Sequence, residues 1–351
     1  MVEISLILLF ILFLSMLFLL LSLFLYLMVK KHLNNQFQQK VDEYKDAYRI
    51  KVFRYLQTGD PDELGNVKED EELLKALVEL LSDYSQLLTG PEIQMRISYF
   101  ANQHLMNYLE KQLVQRRWSL RMNALYMIED FYLVNLSEIL HRTYNQKITT
   151  VSEKAQILKT LAKFDDKRVG EYIKYVDQNI SDFTLLSIFL ILEEEKLDKL
   201  VEEFQQLSTR LQCLLIETIE KRQLIKHHQF LLMLIENEDE EVKIRALKAI
   251  ANTGIPIEPE LIKDLLQSSS WTTRMMATKV VGMQRLETCK PQLITLLSDR
   301  EYSVRAEAAK AILRFKDGLA ILTKVTKEST DIFAKDMAIE WLEKASGGYS
   351  Y

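Results

Sequence analysis

The sequence predicts an all-α protein, in which one apolar helix leads into a series of stacked helical pairs. Three observations predict it. An uncharged run, Ile4 to Val29, stands near the N-terminus. Gly and Pro number only nine and five in 351 residues, few for the turns of a sheet protein of this size. Beyond the apolar run, segments of helical periodicity return roughly every 30 residues.

The apolar run holds 26 residues without a charge, Pro or Gly; its polar groups are three serines and Tyr26. At about 1.5 Å per residue it extends about 39 Å, enough to cross a hydrocarbon layer of about 30 Å with some tilt. A cleaved signal peptide needs a basic start, an apolar core of about 7–15 residues and a small-residue cleavage site. Here Glu3 precedes the run, the core is longer, and Lys30-Lys31-His32 follows. An uncleaved transmembrane helix over residues 4–29 is therefore expected. The two lysines behind it place the N-terminus outside and the rest of the chain in the cytoplasm, as a single-pass protein of a cell membrane. Two cysteines only, Cys213 and Cys289, fit a reducing compartment.

Residues 30–65 read as a juxtamembrane amphipathic helix and linker. Val41, Tyr44, Tyr48 and Val52 recur at spacings of three and four, so Asn34 to Leu56 either prolongs the membrane helix as a stalk or packs on the helices that follow. Gln57-Thr58-Gly59-Asp60-Pro61-Asp62 breaks it, and the stretch to Asn66 is expected to be a mobile joint. Residues 66–345 form the helical stack. Glu69 to Leu88 reads as its first helix, and Gly90-Pro91-Glu92 ends that helix and starts the next. The tail, residues 346–351, is expected to be flexible.

The repeat is clearest over 225–345. Asp239-Glu240-Glu241-Val242-Lys243-Ile244-Arg245-Ala246 aligns with Asp299-Arg300-Glu301-Tyr302-Ser303-Val304-Arg305-Ala306, each with an acid six residues before an arginine. Ser268 and Arg274 occupy the same two positions between them, and Ala334 falls where a further arginine would stand. Trp118–Ile128, Ser152–Leu161, Asp182–Leu192 and Ser208–Ile219 keep the beat upstream. Asn252 to Pro259 reads as a stiff loop within one repeat. These segments resemble the HEAT-repeat family of armadillo-like α-solenoids. The resemblance implies a right-handed α-α superhelix of seven or eight pairs from about residue 92. It also implies that Asp239 and Asp299 cap or bridge the turns, and that Arg245, Arg274 and Arg305 form a ladder with neighbouring aspartates, interrupted at Ser268 and Ala334.

With its single apolar helix, the chain is similar to uncharacterised bacterial membrane-anchored HEAT proteins. That resemblance implies a scaffold or adaptor that binds a protein partner, as an accessory of an envelope-polysaccharide or secretion system. Arg117, Trp118 and Trp271 are the candidate partner contacts, with core packing as the alternative for the tryptophans. Net charge is −5, with 45 basic and 50 acidic residues, so no broad positive field exists to hold nucleic acid. No catalytic residue, metal, cofactor or small-molecule substrate is expected: His227 and His228 are adjacent and point about 100° apart on a helix, and no phosphate loop or nucleophile elbow occurs. The competing readings are an enzyme-like accessory resembling bilin lyases, and a membrane-surface sensor acting through Asn34–Leu56.

Overall fold

A computed structural model describes residues 6–64 and 70–347. Among these, all regular structure is helical, and the chain divides into two units, residues 1–166 and 167–351.

The first unit begins with α1 (Leu6–Thr58), an unbroken helix of 53 residues. It continues through α2 (Glu71–Leu87), α3 (Pro91–His104), α4 (Met106–Leu113), α5 (Trp118–Asp130), α6 (Ser137–Tyr144) and α7 (Val151–Lys163). The two halves of α1 live in different surroundings. From Leu8 to Val29 the apolar side chains are exposed, and none is covered by the rest of the chain. The second half buries Val41, Val52, Tyr55 and Leu56 where it packs on α2, whose Leu73, Ala76, Leu77, Leu80 and Leu81 are likewise buried. Polar bonds line this contact: the Tyr44 hydroxyl donates to Asp70 at 2.8 Å, and Lys45 pairs with Glu79 at 3.0 Å. The Asn34–Leu56 segment thus both prolongs the apolar helix and packs against its neighbours.

The described part of the joint, up to Leu64, is held by specific contacts. Gly59 ends α1 at φ +78°, and its N–H donates to the Tyr55 carbonyl at 2.7 Å. Arg96 on α3 donates from Nη1 to the carbonyls of Leu56 and Gln57, at 2.8 and 2.5 Å. Asp60 caps the short turn Pro61–Glu63. The remainder of the expected joint, including Asn66, lies outside the described residues, as does most of the expected flexible tail; Ser346 closes the last helix.

The second unit holds α8 (Val169–Lys174), α9 (Asp182–Ile191), α10 (Glu194–Glu202), α11 (Thr209–Lys221), α12 (His228–Met233) and α13 (Glu240–Thr253). After them come α14 (Pro259–Leu266), α15 (Trp271–Gln284), α16 (Lys290–Leu296), α17 (Tyr302–Leu313), α18 (Gly318–Glu328) and α19 (Ile332–Ser346). Helices α9, α11, α13, α15, α17 and α19 pack in succession as one row. Helices α12, α14, α16 and α18 each pack on the row helix that follows. The loop after Asn252 therefore joins one pair to the next, rather than lying within a pair: Gly254, at φ +70°, ends α13, and Pro259 starts α14.

Helix caps set the register of this row. The N-caps are Ser208, Asp239, Ser270, Glu301 and Asp331, at steps of 31, 31, 31 and 30 residues. Seven residues beyond the last four caps stand Ala246, Ala277, Ala308 and Ala338, all with no exposed surface. Small side chains there let neighbouring helices approach closely. The same register aligns Val242, Thr273, Val304 and Ala334, all buried three residues past their caps. This corrects the sequence alignment by two residues in α13. Lys243, not Arg245, stands with Arg274 and Arg305, and Asn237 stands with Ser268 and Asp299. The reason is local: Asp239 is itself an N-cap, whereas Asp299 lies two residues before the cap Glu301. Likewise Lys335, not Ala334, takes the arginine position in α19.

Candidate functional site

The residues singled out in the second unit lie along the N-terminal edge of the helix row. Arg274 and Asp299 form its strongest rung. Arg274 donates from Nε to Asp299 Oδ2 at 2.7 Å and from Nη2 to Oδ1 at 2.9 Å, while Nη1 donates to the carbonyls of Ser268 and Ser269. One guanidinium thus closes the turn before its own helix and grips the turn of the next pair. Burial opposes the charge on Asp299, but Arg274 and the Glu301 N–H outweigh it and hold the carboxyl below its usual range.

The other candidates behave differently. Arg245 reaches glutamates, Glu241 at 2.9 Å on its own helix and Glu217 at 3.4 Å on α11, because it sits two residues beyond the arginine frame. Asp239 caps α13 through the N–H groups of Glu241 and Val242, and accepts from the Thr209 hydroxyl at 3.0 Å. Arg305 closes its own turn through the carbonyls of Asp299 and Arg300, at 2.7 and 3.1 Å, but among the described residues it pairs with no carboxylate of the next pair. Its guanidinium lies 4.9 Å from the Phe333 ring instead.

A matching rung in the first unit was not singled out from the sequence. Arg121 on α5 donates from Nη1 to the carbonyls of Gln115 and Arg116, six and five residues back, as Arg274 and Arg305 do. Its Nε donates to the buried Glu153 of α7 at 2.6 Å. The signal was an arginine four residues past a helix cap, which becomes visible only once the caps are placed.

The two candidate tryptophans each begin a helix of their own unit, Trp118 on α5 and Trp271 on α15. Trp271 is 41% exposed and borders an open depression with Ser269, Thr272, Glu240 and Ile244. Ser270 and Thr272 donate to Glu240, the latter at 2.7 Å, and hold its carboxyl below the usual range. Trp118 is also half exposed, its indole N–H donating to the Thr150 hydroxyl at 3.2 Å, and Arg117 is the exposed N-cap of α5.

Elsewhere the chemistry is sparse. A cleft of about 280 Å³ in the first unit is lined by Glu71, His104, Tyr108 and Lys111. Burial lowers the His104 pKa and pushes Tyr108 up to about 12. That volume falls below the range typical of small-molecule sites, about 300–1,000 Å³. Among the described residues no group of three or more His, Cys, Asp or Glu side chains is placed to hold a metal ion. His227 Nε2 lies 3.0 Å from Asp198, while His228 faces the carbonyl of Ile225.

Against known proteins, the family model for HEAT repeats matches residues 258–343. No curated protein sequence matches. Among solved structures, the chain is similar to an engineered protein, at 17% identity over 85% of this chain and 92% of that one, with a TM-score of 0.35. It is similar to human deoxyhypusine hydroxylase in complex with glycerol at 16% identity, over 88% and 97% of the two chains, with a TM-score of 0.25. A designed armadillo repeat protein matches at 17% identity over 79% and 95%, with a TM-score of 0.15. Among the described residues the architecture is an all-α arrangement of stacked helices, resembling HEAT repeats over residues 258–343, with one helix long and apolar enough to cross a membrane.

Proposed function

We propose that this chain is a membrane-anchored, non-enzymatic scaffold that binds a protein partner through its helical stack. One observation carries the reading: α1 is a single helix whose first half is apolar and uncovered and whose second half is packed into the first unit. An uncovered apolar helix of this length is stable in hydrocarbon and costly in water. From Val29 to Val41, the first fully buried residue, twelve residues of helix rise about 18 Å. The first unit then stands off the membrane at a set distance instead of trailing on a flexible tether. Lys30 and Lys31 favour a cytoplasmic stack. Confinement to two dimensions raises its effective concentration near membrane partners. On the resemblance described above, envelope-polysaccharide and secretion machineries are the partner class to test first.

The test is crosslinked pulldown from intact membranes, using the full chain and a variant lacking residues 1–33. The expected result is a discrete protein partner recovered with the full chain, and a membrane fraction emptied of the truncated one. A full-length chain that fractionates as soluble overturns the anchor, and recovery of no specific protein overturns the scaffold.

A further inference from the structure

One side of the helix row in the second unit carries a short basic track. Lys248, Lys279 and Lys310 each stand nine residues past a cap, on α13, α15 and α17. Each lies two residues beyond a fully buried alanine, Ala246, Ala277 or Ala308. At about 100° per residue, two residues turn a helix about 200°, so the lysines stand on the side away from these alanines, where all three are half-buried. Neighbouring helix axes lie about 8–10 Å apart, which spreads the three ammonium groups over about 20 Å.

Their partners are few. Lys248 approaches Glu220 at 3.9 Å, whereas Lys279 and Lys310 form no ion pair among the described residues. Glu307, between them, is half-buried, and burial raises its carboxyl while Lys310, Lys279 and Arg314 pull it back. Arg314, just past the end of α17, adjoins the track and donates to the Met283 sulfur. Apolar side chains adjoin it: Met275 and Met276 are half-buried and Met283 is exposed, all on α15. Methionine surfaces adapt to varied apolar side chains. Glu217 and Glu340 hold the lysines' frame position on α11 and α19 and bound the track at both ends.

We propose that this face binds an acidic amphipathic helix of the partner protein, with carboxylates on Lys248, Lys279 and Lys310 and apolar side chains on the methionines of α15. Carboxylates one heptad apart on a helix are separated by about 10.5 Å, close to the helix-to-helix spacing of the lysines. Nucleic acid fits less well, because its phosphates form a long continuous track that the flanking glutamates interrupt. The inference rests on the scaffold reading and names the partner's chemistry.

The test uses the full chain in detergent and a fluorescent helical peptide of about three heptads, with glutamates at heptad spacing and leucines beside them. Control probes replace the glutamates by lysine, replace the leucines by serine, or are a single-stranded oligonucleotide of equal charge. The expected result is tightest binding of the acidic amphipathic peptide, weakened tenfold or more in K248E/K279E/K310E and unchanged in K324E. Carbodiimide crosslinks are expected on Lys279 or Lys310, and matching thermal unfolding of the variants shows that the fold is retained. No binding of that peptide, binding indifferent to the triple variant, or tighter binding of the oligonucleotide overturns the inference. The membrane pulldown separates the two claims. A partner captured equally by wild type and triple variant keeps the scaffold and removes this surface. Peptide binding without any captured partner does the reverse.

Discussion

Arg274 and Asp299 are joined by two hydrogen bonds, 2.7 and 2.9 Å, with both side chains only 8% exposed. The pair ties α15 to the turn before α17. Removing one partner leaves the other charge buried, which typically costs about 3–5 kcal/mol. Asp299→Ala is therefore expected to lower stability by about that amount, and Asp299→Asn by less, in urea unfolding of the chain in detergent.

The same pair sets a pH dependence. The folded carboxyl of Asp299 titrates below its ordinary value of 3.8, since Arg274 and the Glu301 N–H together overcome burial. Its contribution is complete above that ordinary value and is lost as pH falls through the lower folded pKa. Unfolding measured from pH 6 down to about pH 2 is expected to show a steeper loss in wild type than in Asp299→Asn.

Gly282 on α15 faces Ala311 of α17 at close range. A Cβ there would lie 2.6 Å from the Ala311 Cβ and 2.7 Å from its Cα. Gly282→Ala is expected to cost about 1–3 kcal/mol through overpacking. Gly170→Ala on α8 meets nothing within 4 Å and is expected to gain about 0.5–1 kcal/mol. Thermal unfolding distinguishes the two.

Arg96 is expected to control the joint after α1. Arg96→Ala frees the carbonyls of Leu56 and Gln57 and loses about 1–3 kcal/mol of local stability. Limited proteolysis between Thr58 and Leu64 is expected to quicken several-fold, while cleavage within α13 to α17 stays at the wild-type rate.

Both cysteines are expected to be poor nucleophiles. Burial, with Glu241 nearby, pushes Cys213 up to about 11, and burial also raises Cys289, which has no exposed surface. At pH 7.5 less than about a thousandth of Cys213 is then thiolate. Iodoacetamide labelling followed by mass spectrometry is expected to show little modification at that pH and to rise only as pH approaches 11.

Much of the architecture could be read locally. The apolar run, the scarcity of Gly and Pro, and the helical segments returning about every 30 residues predict helices and a repeat, because helical periodicity imposes itself on composition. The continuity of α1 was one of two readings that the amphipathic pattern allowed, since Val41, Tyr44 and Val52 serve a stalk and a packed helix equally. The alignment of Asp239 and Arg245 with Asp299 and Arg305 misled, because the same acid-to-arginine spacing occurs in two different relations to a helix cap.

By itself, then, the sequence determined the helical class, a repeat interval near 30 residues and the length of the apolar span. Only the tertiary structure decided the register: which arginine meets which acid, that Arg121 repeats the rung of Arg274, and that Lys248, Lys279 and Lys310 share one face. Periodicity records how a helix divides into buried and exposed sides. A shared face across three helices depends on where each helix begins, and caps and packing determine that together.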